Sequence, residues 1–233
     1  MVEVGGRPIL WHIMKIYAHY GYTDFIMCLG YRANIIKEYF LNYDAMNNDF
    51  TLKLGQTRDI EYRNRNVEQD FRVTLSDTGI ATMTGARVKR ASVYVDSDLF
   101  MVTYGDGLSD INIKNLIDFH NHSKVLATVT AVKPPGRFGA LAITDSLITR
   151  FEEKPRGDGD WINGGFFVLS PKVLEYIEGD DNSWEYLPIQ RLVRERQICA
   201  FKHKGFWMAM DTLRDKNRLE ELWQSGQAPW KNW

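Results

Sequence analysis

Two carboxylates in this sequence stand where chemistry can be done, Asp106 and Asp211. Asp106 lies in Val102-Thr103-Tyr104-Gly105-Asp106-Gly107, after the apolar run Leu99 to Val102 and between two glycines. A buried strand that stops there puts an acceptor-only side chain at the rim of a sheet. In open α/β sheets ligands bind at that rim, outside the carboxyl ends of the strands. The flanking glycines let a bulky anion approach the backbone. A lone carboxylate there suits a hard cation such as Mg²⁺, which takes one or two protein carboxylates plus phosphate oxygens. Asp-Gly is equally a common two-residue hairpin turn, so the tripeptide reads both ways. Asp211, in Phe206-Trp207-Met208-Ala209-Met210-Asp211-Thr212, precedes the final helix. It or Thr212 caps that helix, or Asp211 faces Asp106 and the two hold one Mg²⁺.

Four further segments carry polar groups in constrained settings. Thr82 to Arg87, Thr-Met-Thr-Gly-Ala-Arg, is a glycine-bearing turn opening a helix. Free N–H groups and the positive end of the helix dipole there suit an anion or a nucleobase edge. Arg87 then meets phosphate or base, or is a solvated surface arginine. Pro134 to Leu141, Pro-Pro-Gly-Arg-Phe-Gly-Ala-Leu, makes a fixed loop in which Gly139 permits close approach, or a plain strand-to-strand turn. In Phe151-Glu152-Glu153-Lys154-Pro155, Glu153 can accept from sugar hydroxyls and Lys154 can meet a phosphate as a point charge. A solvated ion pair before a turn is the other reading. Trp161-Ile162-Asn163-Gly164-Gly165-Phe166-Phe167 sets paired glycines inside an apolar strand, which marks a bulge or a ligand against the backbone.

These residues need a scaffold, and the patterning supplies one. Short apolar runs alternate with helical spacings, the signature of an α/β fold. Pro8 starts a helix with Ile9, Leu10, Ile13, Met14 and Tyr17 on one face, stopped by Gly21. Strands are predicted over 24–29, 99–104, 125–132, 162–169 and 198–202, with helices over 33–43, 86–95, 112–123 and 183–196. A hairpin is predicted over 141–151, a short helix from Pro171, and a last helix from Thr212 to Trp223. The stretch from Asp44 to Asp70 is polar and poorly periodic, with a strand-like Phe50 to Leu54.

The chain has 233 residues, 44% hydrophobic and 25% charged, the balance of an ordinary globular domain. Its 29 basic residues against 30 acidic ones give no global field toward nucleic acid. No apolar run is long enough for a bilayer and no signal-peptide pattern opens the chain, so neither a membrane nor export is expected. Cys28 and Cys199 read as reduced core residues of a cytoplasmic protein. There is no internal repeat or linker, so one domain over 1–233 is expected.

Taken together, Thr103-Tyr104-Gly105-Asp106-Gly107, Pro134-Pro135-Gly136-Arg137-Phe138-Gly139, Glu153-Lys154-Pro155, Ile162-Asn163-Gly164-Gly165-Phe166-Phe167-Val168 and Met210-Asp211-Thr212-Leu213-Arg214-Asp215-Lys216 resemble the sugar-nucleotidyltransferase family, in particular its cytidylyl-transferring members. The resemblance runs over essentially the whole chain. It implies a Rossmann-like three-layer α/β fold with a mixed, mostly parallel sheet. It also implies transfer of CMP from CTP to α-D-glucose 1-phosphate, giving CDP-glucose and pyrophosphate for the dideoxyhexoses of bacterial O-antigen lipopolysaccharide.

By the same resemblance Asp106 and Asp211 hold Mg²⁺, and Thr82, Arg87 and Gly105 contact the nucleotide. Glu153 and Asn163 meet the sugar, Lys154 its phosphate, and Gly139 and Gly165 lend backbone contacts. Lys154 joins the two aspartates as a catalytic candidate, and a homo-oligomer is implied. Family members begin with a strand and a loop of the form Gly-Gly-x-Gly-Thr-Arg, then Lys-Pro-Lys-Pro, upstream of where Met1-Val2-Glu3 aligns. The expectation is therefore an N-terminally incomplete domain that keeps the sugar and metal half of the site and turns over little alone. A non-catalytic sugar-phosphate-binding or assembly subunit, and an enzyme using UTP or dTTP, are the alternatives.

Overall fold

The structure, a computed structural model, describes residues 1–55, 60–63, 68, 70–134, 140–144, 147–152 and 161–233, with the backbone alone over 140–152. The chain opens on a small ladder, β1 (Glu3–Val4) and β2 (Arg7–Pro8), closed by Gly5-Gly6. Both glycines have positive φ, 59° and 71°, which a two-residue turn of this hand requires. Helix α1 (Ile9–Ala18) then buries Ile9, Ile13, Ile16 and Tyr17.

Strand β3 (Asp24–Leu29) leads into α2 (Ala33–Leu41), α3 (Tyr43–Asn47) and the antiparallel hairpin β4 (Phe50–Leu52) and β5 (Ile60–Tyr62). All of these form the crossover to β6 (Arg72–Asp77), which pairs in parallel with β3. Sequence patterning did not show β6, because Arg72 to Asp77 alternates on a half-buried edge with little apolar content. Helix α4 (Thr84–Ala91) and a 3₁₀ turn at Ser92–Tyr94 divide the single helix expected there.

Next come β7 (Phe100–Thr103), β8 (Gly107–Ser109), α5 (Ile113–Ser123) and β9 (Ala127–Val132). The predicted hairpin is present as β10 (Ala140–Thr144) and β11 (Leu147–Glu152). The chain finishes with β12 (Ile162–Leu169), a 3₁₀ turn at Pro171–Tyr176, α6 (Leu187–Arg194), β13 (Ile198–His203), β14 (Trp207–Ala209) and α7 (Leu213–Gln224). Helix α6 starts at Leu187 rather than Ser183, with Pro188 in its first turn where a missing N–H costs nothing.

The largest sheet has the order β13-β9-β12-β7. Strand β13 is parallel to β9, and β12 runs antiparallel to both β9 and β7. Strands β7, β9 and β13 therefore share one direction and β12 alone opposes them. Side chains of β12 alternate between two apolar layers. Phe166 and Val168 join Ile13, Tyr17, Leu116 and Trp230 on one face, while Phe167 and Leu169 join Val173, Trp184 and Leu192 on the other. A strand buried on both faces reads as a continuous apolar run, which is how Phe166 to Leu169 reads. Cys28 is not a core residue: it lies exposed on β3 with a free thiol, as Cys199 is free and half-buried. Among the described residues β3 pairs only with β6.

Candidate active site

The bend Tyr104-Gly105-Asp106 carries the chain out of the main sheet. Strand β7 pairs with β12, whereas β8 pairs with β14, so Asp106-Gly107 joins two ladders and is not a hairpin turn. The β8–β14 register sets Gly107 opposite Ala209, and the Met210 N–H extends it by donating to the Asp106 carbonyl at 2.9 Å. That register brings Asp211 beside Asp106. Partial burial, and then the charge of Asp211, hold the Asp106 carboxyl above the ordinary aspartate range. Thr212 caps α7 with a full capping box: its hydroxyl accepts from Asp215 N, and Asp215 accepts from Thr212 N. Thr212 thus takes the cap, and Asp211, the residue before it, stands near enough for its charge to act on Asp106. Behind this arm, His203 Nε2 lies 2.9 Å from Asp110 Oδ1, fastening the β13–β14 connection to the end of β8.

The paired glycines form a bulge. The β12–β9 register shifts between Asn163 and Phe167, and Gly165 sits at φ 79°, a left-handed conformation that glycine adopts without strain. The Tyr104 ring packs where a Gly165 Cβ would stand, 2.6 Å from its Cδ2. Asn163 Oδ1 accepts from the Gly165 N–H at 2.8 Å, and Asn163 Nδ2 donates to the Tyr104 hydroxyl at 3.0 Å. Gly164 carries a further contact that sequence reasoning did not find, a 2.7 Å hydrogen bond from Trp207 Nε1 to its carbonyl. A tryptophan in a short apolar strand gives no sign of such a bond. The structure therefore gathers Asp106, Asp211, Gly105, Asn163 and Gly165 around one bend and one bulge.

Thr82 and Arg87 lie at the neighbouring rim, at the carboxyl ends of β3 and β6, and both are engaged by protein. The Arg87 guanidinium donates to the Leu29 carbonyl at 3.1 Å, the Thr78 hydroxyl at 2.8 Å and the Ile80 carbonyl at 3.2 Å. Thr82 is buried and its hydroxyl accepts from Arg90. The expected free amides at the start of α4 are corrected by the structure: Met83 N donates to Asp180 O at 3.1 Å and Ala86 N to Asn182 O at 3.2 Å. The loop before α6 thus covers that end. Gly85 serves this packing, since a Cβ there would stand 2.7 Å from the Asn182 carbonyl and 3.1 Å from Trp184 N. Gly139, Glu153 and Lys154 lie outside the described residues.

Among the described residues no group of three or more His, Cys, Asp or Glu side chains is arranged to hold a metal, so Asp106 and Asp211 are a pair. No helix there is long and apolar enough to cross a membrane.

Comparison with known proteins places this geometry in context. The family model described as nucleotidyl transferase matches residues 1–213. A Salmonella typhimurium glucose-1-phosphate cytidylyltransferase is 52% identical over all of this chain and 90% of its own length. A Bacillus subtilis protein named "Probable glucose-1-phosphate cytidylyltransferase" is 41% identical over all of this chain and 91% of its own. The crystal structure of HddC from Yersinia pseudotuberculosis superposes with a TM-score of 0.64 at 21% identity, covering 96% of this chain and 88% of that one, a likeness of fold.

Proposed function

This chain belongs to the nucleotidyl transferase family, and from that premise we propose that it transfers CMP from CTP to the phosphate of glucose 1-phosphate, forming CDP-glucose and pyrophosphate. The observation that carries the reading is that the β8–β14 ladder and the Met210 N–H to Asp106 carbonyl bond set Asp211 beside Asp106 at the bend that ends a sheet strand. The 52% identity to a glucose-1-phosphate cytidylyltransferase supports the choice of base and sugar. In bacteria such a product feeds synthesis of the deoxysugars of surface polysaccharide.

The reaction is an in-line displacement at the α-phosphorus. A phosphate oxygen of the sugar is already anionic at neutral pH, so no general base is required. The protein's task is positioning and neutralisation of charge. Two facing carboxylates are a hard-oxygen donor set, and their mutual repulsion is the kind a divalent cation relieves, so the residues fit Mg²⁺. Asp106 and Asp211 would hold it, and it would supply neutralisation of charge on the nucleotide phosphates.

Gly105 leaves open space above the bend, with nothing within 4 Å of where a Cβ would stand, which suits close approach of the nucleotide. Arg87 and Thr82 shape the nucleotide wall through the carbonyls and hydroxyls they hold in place. On the sugar side Asn163 presents the remaining edge of its carboxamide and Gly165 its backbone carbonyl, its N–H being donated to Asn163. Glu153 takes sugar hydroxyls, Lys154 offsets the sugar phosphate and Gly139 lends a backbone contact. We place the protein in the cytoplasm, as a homo-oligomer.

The test is to incubate the protein with CTP, glucose 1-phosphate and Mg²⁺ and to follow CDP-glucose and pyrophosphate together. Stoichiometric formation of both, lost on chelation and weaker with UTP, dTTP or GTP, is the expected result. Calorimetric binding of glucose 1-phosphate without pyrophosphate release overturns the reading in favour of a binding subunit. Preference for another nucleotide overturns the assignment of the base.

A further inference from the structure

Five hydrogen bonds between β12, the β7–β8 bend, α4 and the loop before α6 run toward a single carboxylate. On one side the Gly165 N–H donates to Asn163 Oδ1 at 2.8 Å, Asn163 Nδ2 donates to the Tyr104 hydroxyl at 3.0 Å, and that hydroxyl donates to Glu185 Oε1 at 2.6 Å. On the other side the Trp184 N–H donates to Thr84 Oγ1 at 2.9 Å, and Thr84 donates to Glu185 Oε2 at 2.7 Å.

Hydroxyls and carboxamides can reverse their roles, but backbone N–H groups only donate and an ionised carboxylate only accepts. Each arm is therefore pinned at both ends. The Gly165 N–H obliges the Asn163 oxygen to face it, which turns the Asn163 nitrogen toward Tyr104. The Tyr104 oxygen accepts there, so its proton needs an acceptor, and Glu185 supplies it. Burial, followed by the Glu185 carboxylate, pushes the Tyr104 phenol above the ordinary tyrosine range, which keeps it a donor.

We propose that Glu185 is a positioning residue: by taking the Tyr104 proton it keeps the Tyr104 oxygen an acceptor for Asn163 Nδ2 and so, together with the Gly165 N–H, holds the Asn163 carboxamide in one orientation toward the sugar. This rests on the glucose-1-phosphate reading above. Asn163 is exposed at the rim, so its remaining N–H and its second oxygen lone pair have assigned places. A carboxamide held in one orientation distinguishes an axial from an equatorial hydroxyl, because the wrong epimer meets a donor with a donor or leaves a group unpaired. The second arm ends on Thr84, the first residue of α4, so the same carboxylate ties the sugar side to the segment that carries Arg87.

The isosteric change Glu185→Gln isolates this role. It keeps the shape but replaces one acceptor by a donor, so either the Tyr104 or the Thr84 proton loses its partner. We expect E185Q and Tyr104→Phe each to raise KM for glucose 1-phosphate roughly tenfold, with a smaller change in kcat. Preference for glucose 1-phosphate over its galactose and mannose epimers should fall by a similar factor. Thr84→Val should leave epimer preference as in wild type. E185Q and Y104F proteins that both keep the wild-type epimer ratio overturn the proposal.

If wild type makes no CDP-glucose, the proposed reaction fails, and hydrogen exchange on the ligand-free protein decides the network on its own. Faster exchange of the Gly165 or the Trp184 amide in E185Q, on whichever arm loses its acceptor, supports it, and unchanged exchange at both overturns it. If E185Q does not fold, Y104F, which removes one hydroxyl from a half-buried ring, carries the same tests for the Asn163 arm.

Discussion

The indole N–H of Trp207 donates to the Gly164 carbonyl at 2.7 Å, so the strand that leads to Asp211 is fastened to the bulge that presents Asn163. Trp207 lies on β14, opposite Ser109 of β8, and β14 ends just before Met210 and Asp211. Metal side and sugar side therefore share one strut.

Trp207→Phe keeps the ring but leaves that carbonyl without its donor. The cost should be about 1–3 kcal/mol of stability, the usual penalty for an unsatisfied half-buried polar group. Urea denaturation with an unchanged m-value reads it. CDP-glucose synthesis should fall by roughly ten- to a hundredfold, because small misplacements of catalytic groups are costly. A variant that loses stability but keeps kcat/KM would mean the strut has no part in catalysis.

Gly165 and Gly105 separate packing from approach. Gly165→Ala forces an L side chain to φ 79° and into the Tyr104 ring, 2.6 Å away. A loss of about 1–3 kcal/mol is expected from backbone strain and overpacking. Gly105→Ala adds a methyl to open space, so its stability should stay within about 0.5 kcal/mol of wild type. Its KM for CTP should nevertheless rise. Thermal melts beside nucleotide titrations check both.

The β12 bulge was legible because two glycines in an apolar strand are unfavourable unless the backbone must deviate. Thr212 was legible because a capping residue acts on its own helix, three residues away. Glu185 and Trp207 left no such trace, since their partners lie 81, 101 and 43 residues away in sequence. The opening of α4 was misread for the same reason: free amides are inferred from local sequence, while the loop that covers them arrives from residues 180–184. Asp106-Gly107 resisted a local reading because hairpin turn and inter-sheet bend share a dipeptide. Only the pairing of β8 with the distant β14 separates them.

His12 gives the protein a defined acid response. It is fully buried, its Nε2–H donates to the Val4 carbonyl at 2.8 Å, and its Nδ1 accepts from Trp230 at 3.3 Å. Desolvation lowers its pKa from 6.5 to about 4. The unfolded chain takes up a proton near 6.5 that the folded chain refuses until about pH 4. Stability is therefore lost as pH falls through that window, by about 3 kcal/mol in all. His12→Gln removes the proton site, so the stability gap between wild type and variant should narrow from pH 7 to pH 4. A gap that stays constant with pH would contradict the neutral, buried assignment.

The Asp106–Asp211 pair makes opposite predictions with and without metal. In chelated protein each carboxylate feels the other, and Asp106 is also partly desolvated. Asp106→Asn removes one of the two charges, so the metal-free variant should melt at a higher temperature than wild type. Adding Mg²⁺ should raise the melting temperature of wild type, as binding to the folded state alone requires, and should leave D106N unmoved. Activity in D106N and D211N should fall by roughly a hundredfold or more, the scale seen when a group stabilising transition-state charge is removed. Stabilisation by Mg²⁺ that persists in both variants would place the cation elsewhere. The two readouts together distinguish a carboxylate that binds metal from one that merely braces the bend. A bracing carboxylate would lower the melting temperature when removed, whereas a metal-binding one raises it.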